Sequence, residues 1–159
     1  MTFNDVISRP FRCNVYMDWL NFKMNGGRDI KFDKLFEHIH LRGGNVKIAN
    51  FYAPEAEDEN QRRFYDAIRR SGFKIEYIEE KGRGHSGKFN CDTMMAVDMV
   101  AQADGIDAVY LLTNDYDYIH PVRYLRSRGI RTLLIHAERP SNDLRDEVDE
   151  WRMFKQLEL

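Results

Sequence analysis

The sequence predicts an α/β fold in three layers, with a mainly parallel five-stranded sheet of order 3-2-1-4-5 and helices on both faces. Three observations lead there. Short apolar runs alternate with helix-period patterns from one end of the chain to the other, as repeated βαβ units require. The run "IDAVYLL" at 106–112 is apolar almost throughout, the pattern of a central strand covered on both faces. At 159 residues and 43% hydrophobic, the chain can close one sizeable core, so a single domain over 1–159 is expected.

The elements follow in order. Residues 1–11 read as a flexible N-terminus, and "CNVYM" (13–17) as the first strand, with "DWLNFKMNGG" after it as a loop. "KFDKLFEHI" (31–39) sets Phe32, Leu35, Phe36 and Ile39 at helical spacing. "NVKIANFY" (45–52) is the second strand. The helix after Pro54 starts with acids, ends with arginines and stops at Gly72. "FKIEYIE" (73–79) alternates with period two, and "DTMMAVDMVAQA" (92–103) returns to helix. After the strand at 106–112, "YIHPVRYLRSRG" (118–129) is helical with Pro121 in its first turn. "IRTLLIHA" (130–137) is the fifth strand, and 141–159 reads as a C-terminal amphipathic helix.

Charge and cysteine content narrow the function. A net charge of −2 from 26 acidic and 24 basic residues excludes nucleic-acid binding by bulk charge and leaves room for a local basic patch. Cys13 and Cys91 are far apart, lack a CxxC partner and lie in apolar runs, so both are expected as buried thiols in a cytoplasmic protein. No run approaches 18 apolar residues, and the N-terminus lacks the apolar core of a signal peptide.

Ligands of open α/β sheets gather at the carboxyl ends of the strands. Asp18 follows strand one directly, Asn21 comes one loop step later, and Asp115 and Asp117 follow strand four in "LLTNDYDY". In the order 3-2-1-4-5 those two strands are neighbours. Asp92 starts the helix that leads into strand four, and Asp98 lies within it. Converging carboxylates repel unless a cation sits among them, and an oxygen-only set suits Mg²⁺ or Mn²⁺ better than Zn²⁺. Each acid alone has an ordinary reading as a cap or turn residue. The joint placement after adjacent strands is what points to a site.

Three segments resemble the NYN domain family, the LabA-like branch of the PIN-domain-like nucleases. "VYMDWLNF" resembles its D-x-x-N segment, and "KFNCDTMMAVDM" its K-G-N-x-D-x-x-x-x-x-D segment. "LLTNDYDYIHPVRYLRSRGIRTLLI" resembles its S-G-D-x-D-F-x-P-L segment. Trp19 stands where a small residue is frequent, Phe89 replaces a glycine, and Thr113-Asn114 replaces Ser-Gly. The resemblance implies a PIN-like sheet and hydrolysis of RNA phosphodiesters by metal-activated water. It carries Asp18, Asp92, Asp98, Asp115 and Asp117 over as metal ligands, and Asp18, Asn21, Asp92, Asp115 and Asp117 as catalytic residues.

The stretch "KGRGHSGKFNCD" (81–92) has the G-x-x-x-x-G-K spacing of a P-loop, but Phe89 stands where Ser or Thr must hold Mg²⁺. Its better reading is a cationic loop. Lys81, Arg83 and Lys88, separated by glycines, run into a helix N-terminus that favours phosphate. They are expected to track an RNA backbone, or else to form a solvated connector. Trp19 is expected either to stack on an unpaired base or to pack in the core or at the rim.

The function expected is therefore a Mg²⁺- or Mn²⁺-dependent endoribonuclease acting on single-stranded or loop RNA. The rival is a non-catalytic RNA- or protein-binding regulator that retains the acidic pocket. A dehalogenase-like phosphatase would need D-x-D after strand one, where "DWLN" offers one acid. The partner expected is RNA; the C-terminal segment is expected either to pack inward or to pair with a second copy of the chain as a homodimer.

Overall fold

The computed structural model describes residues 10–79, 91–138 and 142–159. The strands are β1 (Phe11–Asp18), β2 (Gly44–Ala53), β3 (Lys74–Tyr77), β4 (Ala108–Leu112), β5 (Arg131–His136) and β6 (Glu150–Met153). The helices are α1 (Trp19–Phe22), α2 (Phe32–Leu41), α3 (Glu59–Ser71), α4 (Asp92–Ala101), α5 (Ile119–Ser127) and α6 (Asn142–Glu147). All neighbouring strands pair in parallel, in the order β3-β2-β1-β4-β5-β6. The expected order 3-2-1-4-5 is present, with a sixth strand added at the β5 edge.

Strand periodicity sorts the side chains into two cores. Phe11, Cys13, Val15 and Met17 of β1 join Tyr110 and Leu112 of β4 on one face, under Trp19, Leu35, Ile39 and Ile68. Tyr16, Val109 and Leu111 face the other way, under Met95, Met99, Val122 and Leu125. Because side chains alternate across a strand, helices must cover both faces to keep these residues dry. That demand makes the fold three-layered.

Two departures have clear causes. The segment after β1 is not a plain loop: it forms α1 and then a wider π turn at Lys23–Gly27. Asp18 caps it through its carboxylate, which accepts the Asn21 amide at 3.5 Å, and the turn bends at Gly26, where φ is 94°. Burial of Trp19 and Phe22 then holds the helix down.

The C-terminal segment is not one helix. It divides into α6, β6 and a 3₁₀ turn at Phe154–Leu157. Leu144 and Val148 are buried in the α4/α5 core, whereas Phe154 and Leu159 are buried in the opposite core. A straight helix presents its apolar stripe to one face only. Reaching both faces requires the chain to pass the sheet edge, and β6 does so while pairing the open side of β5. Residues 1–9 lie outside the described residues, and Phe11 already belongs to β1.

Candidate metal centre

β1 ends at Asp18, α4 begins at Asp92, and Asp115 lies three residues beyond β4. β1 and β4 are adjacent and in register through Met17 and Leu112, so their carboxyl ends open at the same level. One carboxylate oxygen from each of Asp18, Asp92 and Asp115 lies within 4.8 Å of the others. The three come from distant parts of the chain, and parallel pairing brings them together.

Neutral hydroxyls orient the acids. Tyr118, fully buried, places its hydroxyl 3.1 Å from Asp18 Oδ2 and 3.5 Å from Asp92 Oδ1. Thr113 Oγ1 is 3.2 Å from Asp18 Oδ2 and accepts the Asp115 amide at 3.0 Å. Asp115 in turn accepts the Asp117 amide at 2.9 Å, closing the turn after β4. Asn21 Oδ1 accepts the Asn114 amide at 2.7 Å, and Asn114 Oδ1 accepts the Ala137 amide at 2.8 Å. The Asp115 loop is thus fastened to both β1 and β5. That accounts for Asn114, whose side chain makes a bond a glycine lacks, while the Thr113 hydroxyl does what a serine's would.

The electrostatics follow from burial. Asp18, 2% exposed, has its pKa pushed up to about 6, mainly by burial; the Tyr118 hydrogen bond opposes this and the charge of Asp92 adds to it. Asp115 is also pushed above the ordinary carboxylate range by burial, against the pull of the Asp117 amide. Burial and the Asp18 charge push Tyr118 far upward, so it remains a donor. Cys91, beside Tyr118 at 3.6 Å, is pushed up by burial and stays a thiol. An oxygen-only donor set with a carboxyl destabilised by burial and like charge fits a hard divalent cation, which relieves both effects.

Not every expected residue joins this cluster. Asp117 is exposed at the rim, with its amide bound to Asp115. Asp98 lies six residues past Asp92, and its Oδ2 accepts the Tyr52 hydroxyl at 2.7 Å. That bond ends a buried polar ladder in which Tyr16 donates to Gln102 Oε1 at 2.9 Å and Asn14 to the Gln102 carbonyl at 3.1 Å. The ladder locks α4 across β1 and β2, which sets where Asp92 falls. Asp98→Asn is accordingly expected to leave Mn²⁺ affinity within about twofold, and Asp92→Asn to lower it more than about tenfold. Titrating free Mn²⁺ by electron paramagnetic resonance checks both; equal losses would return Asp98 to the ligand set.

Of the two readings of Trp19, the structure takes packing. It is 5% exposed and packs on Phe64, Phe51 and Phe32 at centroid distances of 5.2, 5.4 and 5.7 Å. The helical turn after Asp18 rotates it away from the acids into the core, so it offers no face to a base. Asn21 acts on the protein's own loop. The cationic loop, with Lys81, Arg83 and Lys88, lies outside the described residues. Tyr118 was the residue the motif reading passed over; its only signal was a tyrosine in the place of the phenylalanine of D-x-D-F.

A parallel α/β sheet whose switch point gathers three carboxylates defines a PIN-like, nuclease-type domain. Residues 12–153 match the NYN domain, and the chain belongs to that family. Its fold is similar to the crystal structure of a protein of unknown function from Vibrio parahaemolyticus, with a TM-score of 0.78 and 20% identity. That likeness covers 92% of this chain and 94% of the other, and at such identity it speaks for the fold. No curated relative matches the sequence. Among the described residues, no helix is long and apolar enough to cross a membrane.

Proposed function

We propose that this NYN domain, of the LabA-like branch, is a cytoplasmic metal-dependent endoribonuclease that cuts single-stranded or loop RNA. The observation that carries the reading is the group formed by Asp18, Asp92 and Asp115, with ligand oxygens within 4.8 Å of one another. These residues would hold Mg²⁺ or Mn²⁺. When bound, the ion supplies charge neutralisation at the phosphate and lowers the pKa of water.

The chain's own contribution is placement. Tyr118 and Thr113 keep the Asp18 carboxylate turned toward Asp92 and Asp115. Asn21 holds the loop that carries Asp115. Asp117, exposed at the rim, can accept a proton or a hydrogen bond from water entering the site. Lys81, Arg83 and Lys88 would track the RNA backbone, and their joint change to Ala would then flatten the salt dependence of binding.

The test is cleavage of a labelled mixed-sequence single-stranded RNA with Mn²⁺ or Mg²⁺, beside Asp115→Asn and an EDTA control. Internal cuts are expected with the ion and none with EDTA. Asp115→Asn should lose more than about 100-fold in rate, since even residues that only orient a ligand are worth roughly 10–100-fold. Intact RNA in the presence of folded, Mn²⁺-bound protein would overturn the reading in favour of a non-catalytic regulator.

A further inference from the structure

An open groove beside the acids runs between α4 and α5, with a volume of about 780 Å³, within the range of small-ligand sites. It begins at Asp92 and Asp117, and its walls are Val97 and Val100 of α4 and Pro121 and Tyr124 of α5. We propose that this groove is the subsite for an unpaired nucleobase of the RNA strand, next to the phosphate at the acidic centre. The inference rests on the ribonuclease reading and deepens it.

Chemistry selects the occupant. Two carboxylates stand at the groove's mouth, and among the described residues no Lys or Arg lines it. With the ion confined to the Asp92 end, a phosphate deeper in the groove would leave water for an apolar wall with no cation among the described lining residues. The neutral, flat part of a nucleotide has no such penalty and gains apolar contact. Val97 is 58% and Tyr124 40% exposed, so an apolar patch borders a polar site, where solvent alone would favour charged side chains. His120, also lining the groove and exposed, offers a hydrogen-bonding edge.

Tyr124 is prepared for stacking. The Arg128 guanidinium lies 5.9 Å from its ring centroid and 3.4 Å from its hydroxyl, and Asp104 holds Arg128 at 2.9 Å. A ring held in this way loses little further freedom on binding. The two arginines of α5 are directed elsewhere: Arg123 pairs with Glu147 at 2.7 Å and Arg126 with Asp149 at 3.4 Å. They form no phosphate track along the groove. From Asp92 to Val100 the helix advances about 12 Å, enough for one or two nucleosides. The bases of a duplex are stacked and paired, so only unpaired ones can enter.

The experiment measures KM for a short labelled single-stranded RNA with Mn²⁺, using wild type, Tyr124→Ala and Val97→Glu. Both positions are exposed, so folding should survive; melting temperature and Mn²⁺ affinity, measured alongside, should match wild type. Each variant is expected to raise KM about tenfold, the scale of one lost base–aromatic stack. In wild type, an abasic nucleotide at one position beside the cut should give the same loss. In Tyr124→Ala it should add nothing. Unchanged KM in both variants together with a flat abasic scan, in a protein that cuts RNA, would overturn the groove assignment alone. Equal cutting of duplex RNA would do the same. If wild type cuts no unmodified RNA, the ribonuclease reading fails and the groove assignment falls with it.

Discussion

Asp18→Asn is expected to raise the melting temperature of the ion-free protein at pH 8 while abolishing Mn²⁺ binding and RNA cleavage. Asp18 is 2% exposed, and burial lifts its pKa from 3.8 to about 6. The folded state therefore holds this proton more tightly than the unfolded chain does. The stability it contributes is fully present below about pH 3.8 and is lost as pH rises through about 6. Above that, the folded protein carries a buried charge at a penalty of about 3 kcal/mol, at roughly 1.4 kcal/mol per pKa unit. Asn has the same shape and no charge to bury; its oxygen can still accept from Tyr118 and Thr113, with its NH2 turned toward the long 3.5 Å Asn21 contact. For a domain of this size the gain corresponds to roughly 6–12 °C at pH 8, shrinking toward zero near pH 4.

The same carboxyl makes ion binding pH-dependent. Below about pH 6 a proton competes for Asp18, so Mn²⁺ affinity should fall as pH drops through that value. Excess Mn²⁺ should then stabilise wild type at pH 8 by mass action and leave Asp18→Asn unmoved. Calorimetry at pH 4 and pH 8, with EDTA and with Mn²⁺, tests all of this. A mutant that is equally or less stable at pH 8 would show that Asp18 is not strained by burial.

Trp19→Ala is expected to destabilise the fold by about 3–5 kcal/mol, a large share of the roughly 5–15 kcal/mol that holds a domain together. The indole is 5% exposed and sits among Phe32, Phe51 and Phe64. Removing it opens a cavity that rigid rings cannot readily fill. Trp19→Phe retains most of the contact area and should lose far less. Urea unfolding distinguishes the two. Full stability in Trp19→Ala combined with lost RNA affinity would restore a stacking role and remove the packing one.

These two residues are neighbours in sequence and opposite in fate, which shows where local reading stops. Asp18 was legible as a site residue because a strand end is a local feature, and a parallel sheet always opens its ligand edge there. Asp115 was legible for the same reason, and Asp92 because it opens the helix that leads into the neighbouring strand. For Trp19 the sequence left stacking and packing both open, because the turn of α1, which nothing in "DWLNF" announces, decides which way the next side chain points. Asp98 shared its helix with Asp92, but helical rotation places the two on different faces, and only Tyr52 on the neighbouring strand shows what Asp98 does.

By itself, then, the sequence determined the alternation of strands and helices, the ligand edge and the acids on it, since each depends on periodicity and on position within one element. Tertiary structure decided the sixth strand, the burial of Trp19 and the Tyr118 bridge between Asp18 and Asp92. The tail from Leu144 to Leu159 had helical spacing throughout, yet its apolar residues serve two cores separated by the sheet. No pattern along the chain states that the β5 edge is open or that both cores lack cover at that corner. The chain crosses there because burying apolar surface on both faces and pairing an exposed strand edge together outweigh the continuity of one helix.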